Sequence, residues 1–135
     1  MKIVLLILIV STLSACAGIP VTREKANAAN FSAQPTDEEA VQNIRNYLEN
    51  VLIDPGSLRL KCSKVAGKGW ARENFIRDEP LFGYLVSCDV NSKNRLGGYT
   101  GGKSYIFIIN GGKISGFDFT GYGSNGPGRH FGLIQ

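Results

Sequence analysis

Residues 97–104 (GGYTGGKS) satisfy the spacing G-x-x-x-x-G-K-[ST], in which backbone N–H groups and a following helix N-terminus cradle phosphate. That chemistry needs the helix. Here Ser104 is followed by Tyr-Ile-Phe-Ile-Ile-Asn-Gly, which reads as a strand and a hairpin, so no nucleotide partner is expected. Residues 121–126 (GYGSNG) fit G-x-G-x-x-G, but Pro127-Gly128 follows and leaves no room for a dinucleotide-binding βαβ unit. Acid–base and nucleophilic chemistry are equally thinly supplied. His130 is the sole imidazole, no carboxylate pair has suggestive spacing, and nothing singles out a Ser–Lys dyad. The chain is therefore not expected to be an enzyme. Neither a cofactor nor a metal site is expected.

Two groups of residues could instead bind. Residues 88–101 (CDVNSKNRLGGYTG) place Asn91, Lys93, Asn94 and Tyr99 in one glycine-rich stretch. Asn91 and Asn94 can bond to nearby backbone while the glycines take positive φ, which would make this a demanding strand-to-strand loop. In the other reading, Lys93, Arg95 and Tyr99 with open backbone donors form a small polar pocket for an anionic or sugar ligand. Trp70, among Lys68, Arg72 and Arg77, poses the same choice: contact with a partner or glycan, or a cap on a core beneath a long loop.

These residues need elements to hold them. Thr36 followed by Glu39 is a capping box, with Asp37 and Glu38 at the positive end of the dipole. Val41, Ile44, Leu48, Val51 and Leu52 then recur on one helical face until Asp54-Pro55-Gly56. From Ser57 the period is two: Leu58, Leu60 and Cys62 alternate with Arg59, Lys61 and Ser63. A loop is expected over residues 66–80, then a strand over 81–91 with Tyr84, Val86, Cys88 and Val90 on one face. Residues 104–109 read as a central strand buried on both faces. Asn110-Gly111 signals a hairpin, and residues 113–119 return as a fourth strand with a bulge at Gly116. The expected architecture is α+β: one N-terminal amphipathic helix on a four-stranded antiparallel β-meander, spanning 36–119. Residues 120–135, with five glycines, read as a loosely ordered tail onto which Phe131, Leu133 and Ile134 could dock.

The N-terminus carries an address. Met1-Lys2 is followed by an apolar run over residues 3–10, then small residues, the layout of a secretory signal peptide. The run is shorter than the roughly 20 residues a membrane span needs. Leu13-Ser14-Ala15-Cys16 resembles the lipobox of bacterial lipoproteins. The resemblance implies cleavage after residue 15, a diacylglycerol on the Cys16 thiol and acylation of the new amine. Ala17-Gly18, with no Asp at the second mature position, implies outer-membrane delivery facing the periplasm. Residues 16–35 would then be the lipidated cysteine and a flexible tether.

With Cys16 assigned to lipid, Cys62 and Cys88 remain as a pair, and an oxidising compartment makes them one disulfide. Each shares parity with the apolar set of its own strand, so a bridge between neighbouring strands on the core side is reasonable. It would close a loop of roughly 27 residues, worth about 3.5 kcal/mol in chain-entropy terms.

Asp54-Pro55-x-Ser57, together with Cys88, Asn91, Lys93, Asn94, Gly97, Gly98, Tyr99 and Gly101, resembles a signature of small exported bacterial proteins. That pattern runs D-P-x-S, then C-x-x-N-x-K-N-x-x-G-G-Y-x-G. Asp89 stands where the pattern has glycine. The resemblance implies fold and export and brings no biochemical activity with it.

Removing residues 1–15 from 135 leaves 120, enough for one domain, and loss of Lys2 lowers the net charge from +4 to +3. Residues 59–113 hold ten Lys or Arg against four acids, but in no long run, so no nucleic-acid partner is expected. The composite expectation is a non-catalytic, lipid-anchored envelope module whose partner is an envelope protein or the cell-wall polymer. The alternative is a binder or inhibitor of a cell-wall, lipid head-group or protein ligand.

Overall fold

The computed structural model describes residues 19–73, 78–118 and 130–134. It is an α+β fold with a short helix α1 (Arg23–Ala28), a longer helix α2 (Asp37–Val51) and a six-stranded antiparallel sheet among the described residues. The strands are β1 (Arg59–Cys62), β2 (Lys68–Arg72), β3 (Leu81–Asn91), β4 (Lys103–Asn110), β5 (Lys113–Asp118) and β6 (His130–Leu133). The order is β5-β4-β3-β2-β6, with β1 also paired to β3. The expected single helix and four-stranded meander are thus corrected to two helices and six strands.

α2 starts where the capping box places it. Thr36 Oγ1 accepts from Glu39 N–H, and Glu39 Oε2 accepts from Thr36 N–H. Its inward face is Ala40, Ile44 and Leu48, packed on Val86, Cys88, Val90, Phe107 and Ile109 from β3 and β4. Val51, expected on that face, is exposed, while Leu52 packs against the core. β4 is buried on both faces as expected. Phe107 and Ile109 face α2, while Ile106 and Ile108 join Ala71 and Leu85 in a second cluster on the opposite face.

β3 organises the rest. β4 covers one of its edges, and β1 and β2 lie end to end along the other. Cys62 sits directly opposite Cys88, their Cα atoms 4.0 Å apart, and the two are joined by a disulfide. Trp70 is therefore in strand β2 and not in the loop expected over residues 66–80. Its strand is hard to see from sequence because Gly69, Ala71 and Arg72 are all buried and no apolar–polar alternation remains. Gly69 and Gly83 are register partners, and each is closely approached. A Cβ at Gly69 would fall 2.6 Å from the Gly132 carbonyl oxygen, and one at Gly83 would fall 2.5 Å from that of Ile109.

One further correction concerns β5, while its turn is as expected. Pairing of β5 with β4 runs unbroken from Tyr105↔Asp118 to Asn110↔Lys113, so Gly116 is no bulge. The ring of Phe107 occupies its missing side chain, since a Cβ there would meet Phe107 Cε1 at 2.7 Å. The Asn110-Gly111 hairpin is present, with Gly111 at φ 61°, the sign that primed turns require.

The segment read as a tether is held to the body from Ile19 onward. Asn110 Oδ1 accepts from Ser32 N–H, and Asn110 Nδ2 donates to the carbonyls of Asn30 and Phe82. Tyr84 Oη donates to the Ser32 carbonyl, and Phe31 meets Phe82 and Tyr84 edge-on. The tail also contributes structure, because residues 130–133 form β6 beside β2. The segment read as a signal peptide, Cys16, Arg77 and residues 119–129 lie outside the described residues.

Candidate functional site

The two halves of the D-P-x-S and C-x-x-N-x-K-N-x-x-G-G-Y-x-G pattern meet in space. Pro55–Ser57 forms a 3₁₀ turn after α2, and Ser57 Oγ donates to the Asp54 carbonyl. The same Oγ accepts from Lys93 N–H at 2.8 Å, while Tyr99 Oη donates to the Ser57 carbonyl at 3.1 Å. Lys93 and Tyr99 are themselves bridge partners. Between them Asn94 Oδ1 accepts from the N–H groups of Leu96 and Gly98, and Asn94 N–H donates to the Gly98 carbonyl. Asn94 thus builds the loop, as the structural reading of this residue expects.

The face left over is an aromatic plate between cations. The Arg59 guanidinium lies 4.0 Å from the Tyr99 ring centroid, and Lys93 Nζ lies 5.7 Å from it. Arg59 is register partner to Asn91, whose Oδ1 is buried with no hydrogen-bond partner in the structure. Leu96 at the loop tip is 93% exposed. Arg59 went unrecognised in the sequence. Its signal was parity, since it alternates outward from Leu58 and Leu60 and must share a face with its neighbour on β3. Lys103 opens β4, so a strand and not a helix follows the glycine-rich run.

Trp70 does not join this group. It pairs with Phe82, nine residues from Asn91 along β3, roughly 30 Å at about 3.3 Å per residue. Its indole covers Gly132, where a Cβ would lie 3.0 Å from Nε1, and the Arg72 guanidinium lies 5.2 Å from its ring. Arg72 is itself buried and donates to the Ile19 carbonyl. Burial lowers the Arg72 pKa from its usual value, with the charges of Glu79 and Asp78 acting the other way. A depression of about 280 Å³ beside it is lined by Val21, Ala26, Trp70, Leu133 and Ile134.

Protein-family profiles, curated protein sequences and solved structures, compared with this chain, each return no match. The site must therefore be judged on its own geometry. Among the described residues no three His, Cys, Asp or Glu side chains group as metal ligands. No helix among them is long and apolar enough to cross a membrane. His130 opens β6 opposite Arg72, remote from the Tyr99 cluster. What the cluster offers chemically is recognition: two cations, an aromatic face and an exposed leucine.

The Ser57 link can be tested directly. Ser57→Ala removes the acceptor of the partly buried Lys93 N–H and is expected to cost about 1–2 kcal/mol in urea unfolding. Hydrogen exchange at the amides of Lys93 and Gly98 should accelerate together. A change in neither would show that the turn and the loop are not coupled.

Proposed function

We propose that this chain is an envelope lipoprotein, held to a membrane by acyl chains on Cys16 and facing the periplasm from the outer membrane. Its α+β domain serves as a non-catalytic interaction or structural module. The observation that carries the reading is Leu13-Ser14-Ala15-Cys16 directly after an apolar run, with the only other two cysteines in one bridge. A cross-strand disulfide suits an oxidising compartment, and the lipobox cysteine is the thiol left for acylation. Several acyl chains on one residue anchor stably, at about 0.8 kcal/mol per buried methylene. The Tyr99 cluster is the surface offered to a partner in this reading, an envelope protein or the cell-wall polymer.

Labelled palmitate is expected to enter the wild-type protein and to be absent from Cys16→Ser, which should leave the membrane fraction. In intact cells, a crosslinked neighbour of the wild type should be lost in Tyr99→Ala while membrane association persists. A Cys16→Ser protein that stays membrane-bound like wild type refutes the anchor. A neighbour retained at full yield in Tyr99→Ala refutes the assignment of that surface.

A further inference from the structure

Arg59 and Lys93 keep their hydrogen-bond donors for something outside the chain. Arg59 Cζ lies 4.0 Å from the Tyr99 ring centroid and Lys93 Nζ lies 5.7 Å from it. The two charges are thus held within about 10 Å of each other, inside the range over which salt leaves repulsion standing. Among the described residues no carboxylate pairs with either cation, and neither side chain donates a hydrogen bond. Even Asn91 Oδ1, a buried acceptor at the register position opposite Arg59, receives none. Asp89, the acid on the same face of β3, accepts from Ser104 and lies opposite Lys61.

Backbone and ring, not counter-charge, fix this pair. Lys93 N–H is tied to Ser57 Oγ and Tyr99 Oη to the Ser57 carbonyl. Arg59 follows two residues later in β1, which the Cys62–Cys88 bridge clamps to β3. Repulsion between the cations is a cost in the free chain, and an anion arriving between them relieves it without further ordering. The surroundings are open as well. A Cβ at Gly97, Gly101 or Gly102 would meet nothing within 4 Å. The Tyr99 ring, 38% exposed, therefore stands beside a shelf of bare backbone.

We infer that this surface binds an acidic glycan, a sugar polymer carrying carboxylate or phosphate groups, a ligand class that rests on the Tyr99 cluster being the partner surface proposed above. Arg59 and Lys93 take the anionic group through charge-assisted hydrogen bonds. The C–H face of a sugar ring packs on the exposed part of Tyr99, whose negative π-face attracts it. The glycine shelf lets an extended polymer pass across the loop. A protein partner would instead seat an anchor side chain in a pocket, and bare backbone offers a poor one.

The test titrates the full-length chain, in neutral-detergent micelles at about 150 mM salt, and reads binding by calorimetry. The probes are polygalacturonate, phosphorylated dextran, unmodified dextran and poly-glutamate. Polygalacturonate or phosphorylated dextran is expected to bind about tenfold tighter than the last two, and the tighter of the pair tells carboxylate from phosphate. Arg59→Gln, Lys93→Gln and Tyr99→Leu should each weaken that binding about fivefold. Lys113→Gln, beside the hairpin at the other end of the sheet, should leave it unchanged. An equal loss in Lys113→Gln overturns the site, since it would reveal general attraction to a basic chain. Poly-glutamate binding as tightly as the acidic glycans overturns the ligand class. Should Tyr99→Leu fail to fold, the two cation variants decide. If neither acidic glycan binds, the inference falls. A crosslinked neighbour still lost in Tyr99→Ala would then leave the partner surface standing, whereas a neighbour retained removes both.

Discussion

Phe107→Ala is expected to cost about 3–5 kcal/mol, a large share of the roughly 5–15 kcal/mol by which a domain is typically stable. Phe107 is fully buried at the centre of the helix-facing core. Its ring meets Tyr47 of α2 edge-on at 6.1 Å and stacks on Tyr105 at 5.7 Å. It also occupies the space that Gly116 leaves open, so truncation would strip contacts from α2, β4 and β5 at once. Neighbouring side chains cannot collapse into the void easily, because β4 and β5 are locked in register on both sides. Urea unfolding should show a lower midpoint at unchanged slope, and Phe107→Leu should recover more than half of the loss. A cost below about 1 kcal/mol for the alanine variant would mean that the core is not organised around this ring.

Removal of the Cys62–Cys88 bridge has the second-largest expected effect, about 3–4 kcal/mol. Cys88 is buried in the α2-facing core, so Cys62→Ala with Cys88→Ala is a cleaner variant than serine, whose hydroxyl would be buried there. The loss should be uneven. β1 has only four residues and, among the described residues, pairs with β3 alone, and residues 63–67 interrupt it from β2. Without the bridge, amide exchange over Arg59–Cys62 should accelerate toward that of an open segment, while β3 and β4 keep most of their protection. The Arg59–Tyr99 contact should weaken with it, which ties the disulfide to the recognition surface. Uniform loss of protection across the sheet would refute this local role.

Much of the helix-facing half of the molecule is legible in the residues alone. The capping box, the spacing of Ile44 and Leu48, the run over β4 and the shared parity of Cys62 and Cys88 are local patterns. Each reports a single element meeting a single core, so tertiary context has little to overrule. The candidate site was half legible. Asn94 and the glycines announce a loop, but that Ser57 would hold both Lys93 and Tyr99 depends on residues 36 and 42 positions apart.

The sequence by itself determined α2, the β3–β4–β5 hairpins and the pairing of the cysteines, because periodicity, caps and turn residues act over a few positions. Only the tertiary structure decided that Lys68–Arg72 and His130–Leu133 are strands. An edge segment such as HFGL holds only two apolar residues at period two, too short a pattern to announce a strand, and becomes one by pairing with a neighbour. The same holds for residues 19–35. Their polar, alanine-rich composition resembles a linker, and they are fixed by the side-chain amide of Asn110, a partner nearly eighty positions away. Composition records how much apolar surface a segment can bury, but a hydrogen-bonding clamp supplied from elsewhere in the chain leaves no mark on the segment that it holds.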